Sequence, residues 1–201
     1  MQQDFAKLAR YVEFILEVDK LKTVLRKTKA AHVDRYENSA EHSWQIALFA
    51  LNLREYAKEP VDIDKVIRML LIHDLGEIDT GDTIVYAEGD AAEREAEELA
   101  AIRRILGLLP QPQADELLAL WQEFEARRTP EARYARAVDR LMPIVLNLRS
   151  GGQSWRENGV RKQQVLDMAV GKIDDGCPAV ASWLRQELDR AEAAGFFTKI
   201  S

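Results

Sequence analysis

Residues 61–82 read VDIDKVIRMLLIHDLGEIDTGD. The first half decides the architecture. Asp62 is a natural N-cap, and Val66, Ile67, Met69, Leu70, Leu71 and Ile72 behind it are apolar almost all round, the mark of a helix buried mid-molecule. The second half puts charge at the end of that helix. An ionised Asp74 there costs on the order of several kcal/mol unless something cationic receives it. Two readings of His73-Asp74 stand side by side: the pair shares a divalent metal, or His73 caps the helix while Asp74 faces an arginine.

Working outward, nearly every segment carries a helical period, and six prolines and ten glycines are few for 201 residues. Upstream, Phe5, Leu8, Val12, Ile15 and Leu16 form an amphipathic stripe, and the polar, basic run from Lys20 to Arg35 reads as a loop. Asn38 with Glu41 three residues on resembles a capping box. The helix it starts is expected to turn Trp44, Ala47, Leu48 and Leu51 inward, to run to about Lys58, and to be broken by Pro60. Downstream, an irregular stretch from Gly76 to Asp90 leads into helices near 91–108 and 114–127, with Thr83 to Tyr86 as an unpartnered strand candidate. Thr129-Pro130 opens a further helix with inner face Tyr134, Val138, Leu141, Met142 and Val145. The last two helices fall near 161–173 and 178–194, the second stopped by Gly195. The expectation is an all-α, single-domain helical bundle over residues 1–201, with the C-terminal helices 161–194 packed on the rest.

Composition narrows the function. Lys and Arg number 28 against 34 Asp and Glu, a formal net charge of −6, so no global basic face exists for a nucleic-acid backbone. The single cysteine, Cys177, excludes an internal disulfide. No stretch approaches the roughly 18 apolar residues of a membrane span, and the first twenty residues carry too many charges for a signal peptide. A cytoplasmic protein with neither membrane nor nucleic-acid partners is expected.

The three histidines are His32, His42 and His73. His42 lies in Glu37-Asn38-Ser39-Ala40-Glu41-His42-Ser43; His73-Asp74 is followed by Glu77 and by Gly81-Asp82; far downstream Ala137-Val138-Asp139-Arg140-Leu141 sets an aspartate among inward apolar residues. This ordered set resembles the HD superfamily of metal-dependent phosphohydrolases, and within it the small HD proteins with 5′-deoxynucleotidase activity. The resemblance covers roughly residues 21–148 well and the C-terminal helices weakly.

The resemblance implies an HD-type helical fold in which His42, His73, Asp74 and Asp139 ligate one divalent metal, with open positions for water and a phosphate oxygen. It implies that Glu77 handles the attacking water, that Asp82 serves the sugar and leaving-group end, and that Arg26 binds phosphate. Asp79 has no counterpart in the pattern and reads as a surface residue. Two departures bear on base and sugar preference: Lys27 stands where these nucleotidases carry tryptophan, and there is one extra residue before His42. The stretch between His73-Asp74 and Asp139 holds no further histidine, so one metal is expected rather than two or three. Nitrogen and oxygen ligands admit manganese, cobalt, nickel, iron or zinc.

The function this implies is hydrolysis of (deoxy)ribonucleoside 5′-monophosphates to nucleoside and phosphate by a homodimer. Hydrolysis of another small phosphate ester, or a non-catalytic metal- or nucleotide-binding regulator, are the alternatives.

Overall fold

A computed structural model describes residues 2–82 and 91–198. The expected strand at Thr83 to Tyr86 lies outside those residues. The order is α1 (Gln2–Val18), β1 (Leu25–Lys29), β2 (Tyr36–Asn38), α2 (Ser39–Leu53), α3 (Ile63–Ile72), α4 (Glu77–Thr80), α5 (Ala91–Leu106), α6 (Gln113–Ala126), α7 (Pro130–Arg149), α8 (Gln153–Glu157), α9 (Lys162–Val165), a π-helical turn (Leu166–Val170), α10 (Gly171–Gly176) and α11 (Pro178–Ala193). The chain folds as one helical domain.

Helix α7 is the spine. Thr129 caps it by accepting from the Ala132 amide, Pro130 opens its first turn, and it packs against α2, α3, α6 and α10. Tyr134, Val138, Leu141 and Met142 are buried as the periodicity demands, and the Tyr134 hydroxyl donates to the Ala50 carbonyl of α2 at 2.7 Å. Helix α3 runs beside it behind the Asp62 cap, with Val66, Met69, Leu70 and Ile72 buried. The α10–α7 crossing is close. A Cβ at Gly176 would lie 2.4 Å from the Arg133 carbonyl oxygen and 2.8 Å from the Ala137 Cβ, so only glycine admits this approach.

Three expectations are corrected. The Lys20–Arg35 run is not a loop throughout: after a 3₁₀ turn at Asp19–Thr23, β1 pairs antiparallel with β2, with an irregularity in register between Leu25 and Lys29. The signal was hidden because one face of β1 serves a polar cavity, not an apolar core. Leu25 and Lys27 are exposed, while Thr28 is buried and the Arg26 side chain is nearly so.

The inner face of α2 is rotated from the expected one. His42, Ser43, Ile46, Ala47 and Ala50 are buried, whereas Trp44 is 60% exposed and Leu48 and Leu51 also reach solvent. The most apolar stripe is not the inner one because this helix buries the polar side chains of Ser39, His42 and Ser43. It ends at Leu53, with a 3₁₀ turn over Arg54–Tyr56.

The apolar stripe of α1 likewise faces outward. Phe5, Leu8, Val12, Ile15 and Leu16 are all at least half exposed, and the helix is held instead by partly buried Tyr11, Phe14 and Val18. The Arg10 guanidinium fastens it further by donating to the carbonyls of Gly107, Leu108 and Leu109 at the end of α5.

Candidate functional site

Four separate elements converge on one buried point. Helix α2 contributes His42, fixed in position by its cap: Asn38 accepts from the Glu41 amide at 3.0 Å and Glu41 accepts from the Asn38 amide at 2.8 Å. His73 and Asp74 leave the end of α3, and Trp121 of α6 pins that end by donating its indole N–H to the His73 carbonyl at 3.1 Å. Asp139 projects from the middle of α7, and Arg26 from the inner face of β1.

His42, His73 and Asp139 each offer one ligand atom, and these atoms lie within 4.8 Å of one another. Both rings are oriented from behind. His42 Nδ1 stands 3.1 Å from the Glu37 Oε1 acceptor, which turns Nε2 toward Asp139 Oδ1 at 3.3 Å. His73 Nδ1 donates to the Leu70 carbonyl at 2.9 Å, which turns its Nε2 toward the same cluster. That Nε2 is buried without a hydrogen-bond partner, 2.9 Å from Asp74 Oδ1 and 3.7 Å from Asp139 Oδ1. Two imidazole Nε2 atoms and two carboxylates gathered this closely call for positive charge among them, as protons or as a bound cation. The donor set therefore suits a divalent metal, with His42, His73 and Asp139 grouped and Asp74 beside His73 as the fourth candidate.

The electrostatics agree. Burial opposes charge on His73, yet Asp74 and Asp139 outweigh it and push the imidazole up to about 10; a positive charge, proton or metal, is demanded at that point. Against its own burial, Asp74 is held down to about 2 by His73 and Arg26. Asp139, also buried, is held well below the usual carboxylate range by Arg140, His42 and His73.

In front of this cluster opens a pocket of about 510 Å³, lined among others by Arg26, His73, Asp74, Glu77, Asp82 and Asp139. Arg26 crosses it: its Nη1 is 3.0 Å from Asp74 Oδ2, 3.4 Å from Asp82 Oδ1 and 3.9 Å from Glu77 Oε1. Three carboxylates keep this guanidinium charged. Glu77, at the start of α4, accepts from the Ser39 hydroxyl at 2.5 Å, and burial together with the Asp74 charge pushes its carboxyl well above the ordinary range. Burial raises Asp82 as well, with Arg26 opposing.

All seven residues singled out in the sequence thus meet in one place. His32 is exposed and not among the pocket residues. Asp79 lies outside the pocket, its carboxylate 2.6 Å from Arg104 Nε. The remaining basic residues near Arg26 mostly pair with nearby acids: Lys20 with Glu17, Lys22 with Asp19, Lys29 with Asp34 and Arg35 with Glu41. Sequence reasoning missed two supports, Glu37 behind His42 and Ser39 behind Glu77. A glutamate five residues before a histidine has no periodic signature, and only its burial (2% exposed) exposes its role.

Comparison with known proteins fits this geometry. The HD domain family model matches residues 18–181. The 5′-deoxynucleotidase HDDC2 of Dictyostelium discoideum is 31% identical over 174 residues, covering 83% of this chain and 91% of that one. The human 5′-deoxynucleotidase HDDC2 is 26% identical over 164 residues, covering 81% and 78%. The crystal structure of a predicted metal-dependent phosphohydrolase from Magnetospirillum magnetotacticum MS-1 superposes with a TM-score of 0.89 at 44% identity, covering 96% of each chain.

Proposed function

The chain belongs to the HD domain family, and on that premise we propose that it is a phosphomonoesterase releasing phosphate from (deoxy)ribonucleoside 5′-monophosphates with one divalent cation held by His42, His73, Asp74 and Asp139. The observation that carries the reading is the cluster itself: two histidine rings, each held from behind by a second hydrogen bond, meet Asp139 beside a pocket that also holds Arg26 and Glu77. A cation held by these four residues would supply Lewis-acid stabilisation of the phosphoryl oxygens and would make water in the site more acidic.

The chain's own groups do the rest. Arg26 is charged at every working pH and receives phosphoryl oxygens, stabilising the charge that accumulates on them. Glu77, held by Ser39, aligns the attacking water opposite the leaving group and takes its proton as the new O–P bond forms. Burial and the Asp74 charge raise its proton affinity, which strengthens it as a base. Asp82 meets Arg26 Nη1 at 3.4 Å, and its proton affinity, raised by burial, suits it to carry a proton to the departing 5′ oxygen as the P–O bond breaks.

The same reading includes a homodimer joined through α1. Phe5, Leu8, Val12 and Ile15 repeat at three- and four-residue spacing, the seam of a helix that pairs with its own copy, and all four are exposed. Ile15→Glu is expected to shift the mass in solution to that of one chain. A reducing, cytoplasmic setting suits Cys177, a buried free thiol.

The test is phosphate release from deoxyribo- and ribonucleoside 5′-monophosphates by metal-stripped protein resupplied with manganese, cobalt, nickel, iron or zinc in turn. Metal-dependent release that disappears in Asp74→Ala supports the reading. No release from any nucleotide by protein shown to hold metal rejects it.

A further inference from the structure

The pocket has a second cationic wall that the reaction described above does not use. Arg136 and Arg140 lie one turn apart on α7, flanking Asp139, and Lys172 faces them from α10; all three line the pocket, as does Arg127 just beyond α6. The close Gly176–Ala137 contact builds this wall. One turn back along α10 from Gly176 is Lys172, and just under a turn on along α7 from Ala137 is Arg140. The π-helical turn at Leu166–Val170 directly precedes α10, and such turns occur often at functional sites, where they re-aim the residues that follow.

These cations are poorly satisfied. Arg140 Nε is 3.6 Å from Asp139 Oδ2; Arg136 Nη1 is 3.6 Å from Asp139 Oδ2 and 3.8 Å from Glu125 Oε1, and its guanidinium lies over the Phe124 ring. Those separations exceed the roughly 2.7–2.9 Å of a charge-assisted hydrogen bond. The Nε atoms of both arginines are buried with no hydrogen-bond partner. Among the described residues Lys172 has no ion-pair partner. Its amine is pushed down to about 8, first by burial and then by the like charges of Arg140, Arg136 and Arg127. Asp139, the nearest carboxylate, also turns Oδ1 to both histidines. Glu98 across the pocket is drawn toward its neutral form by burial and by Glu125. Buried donors without acceptors, gathered around a cavity, point to an anionic ligand.

We propose that Arg136, Arg140 and Lys172 form a second phosphate-binding subsite, distinct from Arg26, that takes a phosphate group other than the one being cleaved. The proposal rests on the phosphohydrolase reading for the position of the scissile group. The extra phosphate has two possible sources with one chemistry: a second phosphate on the same nucleotide, as in a nucleoside 3′,5′-bisphosphate, or a free inorganic phosphate.

The experiment measures binding by calorimetry to the metal-loaded protein, using deoxynucleosides with a non-cleavable 5′-phosphonate, with and without a 3′-phosphate. A second arm titrates inorganic phosphate into protein already saturated with the simple phosphonate. The expected result is at least tenfold tighter binding of the 3′-phosphorylated analogue, a gain reduced below threefold in Lys172→Gln and restored in Lys172→Arg. If the analogues bind alike but inorganic phosphate joins the saturated complex, and does so far more weakly in Lys172→Gln, the subsite stands with free phosphate as its ligand. Equal analogue affinities with no such phosphate binding overturn the subsite, as does a gain that Lys172→Gln leaves intact. Phosphate release from ordinary 5′-monophosphates, run on the same wild-type protein, separately reports the hydrolase reading. That reading can fail while the subsite holds, and the reverse.

Discussion

Replacing Glu37 by glutamine tests the metal centre from behind. Glu37 touches no substrate-facing surface: it is buried, its Oε1 accepts from His42 Nδ1 at 3.1 Å, and its Oε2 has no partner. Glutamine keeps the shape and removes the charge. His42 then loses the carboxylate that fixes its tautomer and raises the basicity of Nε2. Outer-shell partners of this kind typically govern metal affinity by about 10–100-fold. The consequence can be read as thermal stability, because a ligand that binds only the folded state stabilises by RT ln(1 + [L]/Kd). With metal at about 1,000 times the wild-type Kd, the stabilisation is about 4.1 kcal/mol. A Kd weakened by about 10–100-fold leaves about 2.7 down to 1.4 kcal/mol. For a chain of this size, at about 2–4 °C per kcal/mol, the metal-induced rise in Tm shrinks by about 3–11 °C. The assay is a pair of melting curves, metal-free and metal-saturated, for each protein, with Kd confirmed by chelator competition. The reasoning is refuted if Glu37→Gln binds metal within threefold of wild type and keeps the full rise in Tm.

Other expectations follow from the same geometry. Glu77→Gln retains metal and loses turnover by at least ~10²-fold, the scale of a general base; near-normal kcat in that variant removes Glu77 from proton transfer. Gly176→Ala drives a Cβ into the Arg133 carbonyl, so overpacking costs about 1–3 kcal/mol, visible as a lowered Tm and, because α10 carries Lys172, as weaker binding of the 3′-phosphorylated analogue. Lys172 lies in the field of Arg140, Arg136, Arg127 and Asp139, in a pocket also lined by Arg94, Glu95, Glu98 and Glu125, and its folded pKa of about 8 lies below the ordinary lysine value. The affinity gain from the second phosphate should therefore fade as pH rises through about 8 in wild type and persist in Lys172→Arg, whose guanidinium stays charged; parallel pH profiles for the two proteins exclude the assignment. The sign for stability is the opposite. Between about pH 8 and the unfolded lysine pKa the unfolded chain binds more protons, so this residue's destabilising contribution is full below about 8 and declines as pH rises.

The sequence alone determined the helical architecture, and it named seven residues that the fold brings together around one pocket. Caps at Asn38, Asp62 and Thr129 are local chemistry, legible from residue types at fixed spacing, and each forms as expected. The apolar periodicity of α7 is likewise local and correctly marked Tyr134, Val138, Leu141 and Met142 as interior. His42, His73, Asp74 and Asp139 could be grouped in advance because their order along the chain resembles that of the HD superfamily, and the structure brings them together. What the tertiary structure alone decided is which face each helix buries and which groups meet across elements. Helix α2 turns His42 and Ser43 inward together with Ile46, Ala47 and Ala50 and leaves Trp44 outside, a rotation its own apolar stripe does not announce. The β1–β2 hairpin has no apolar alternation to announce it, since its inner face supplies Arg26 to a polar cavity. Glu37, Ser39, Arg136 and Lys172 gain their meaning only from contacts between segments distant in sequence. Local propensity acts over a few residues; burial, charge pairing and tautomer choice act through space, and they exist only once the chain has folded.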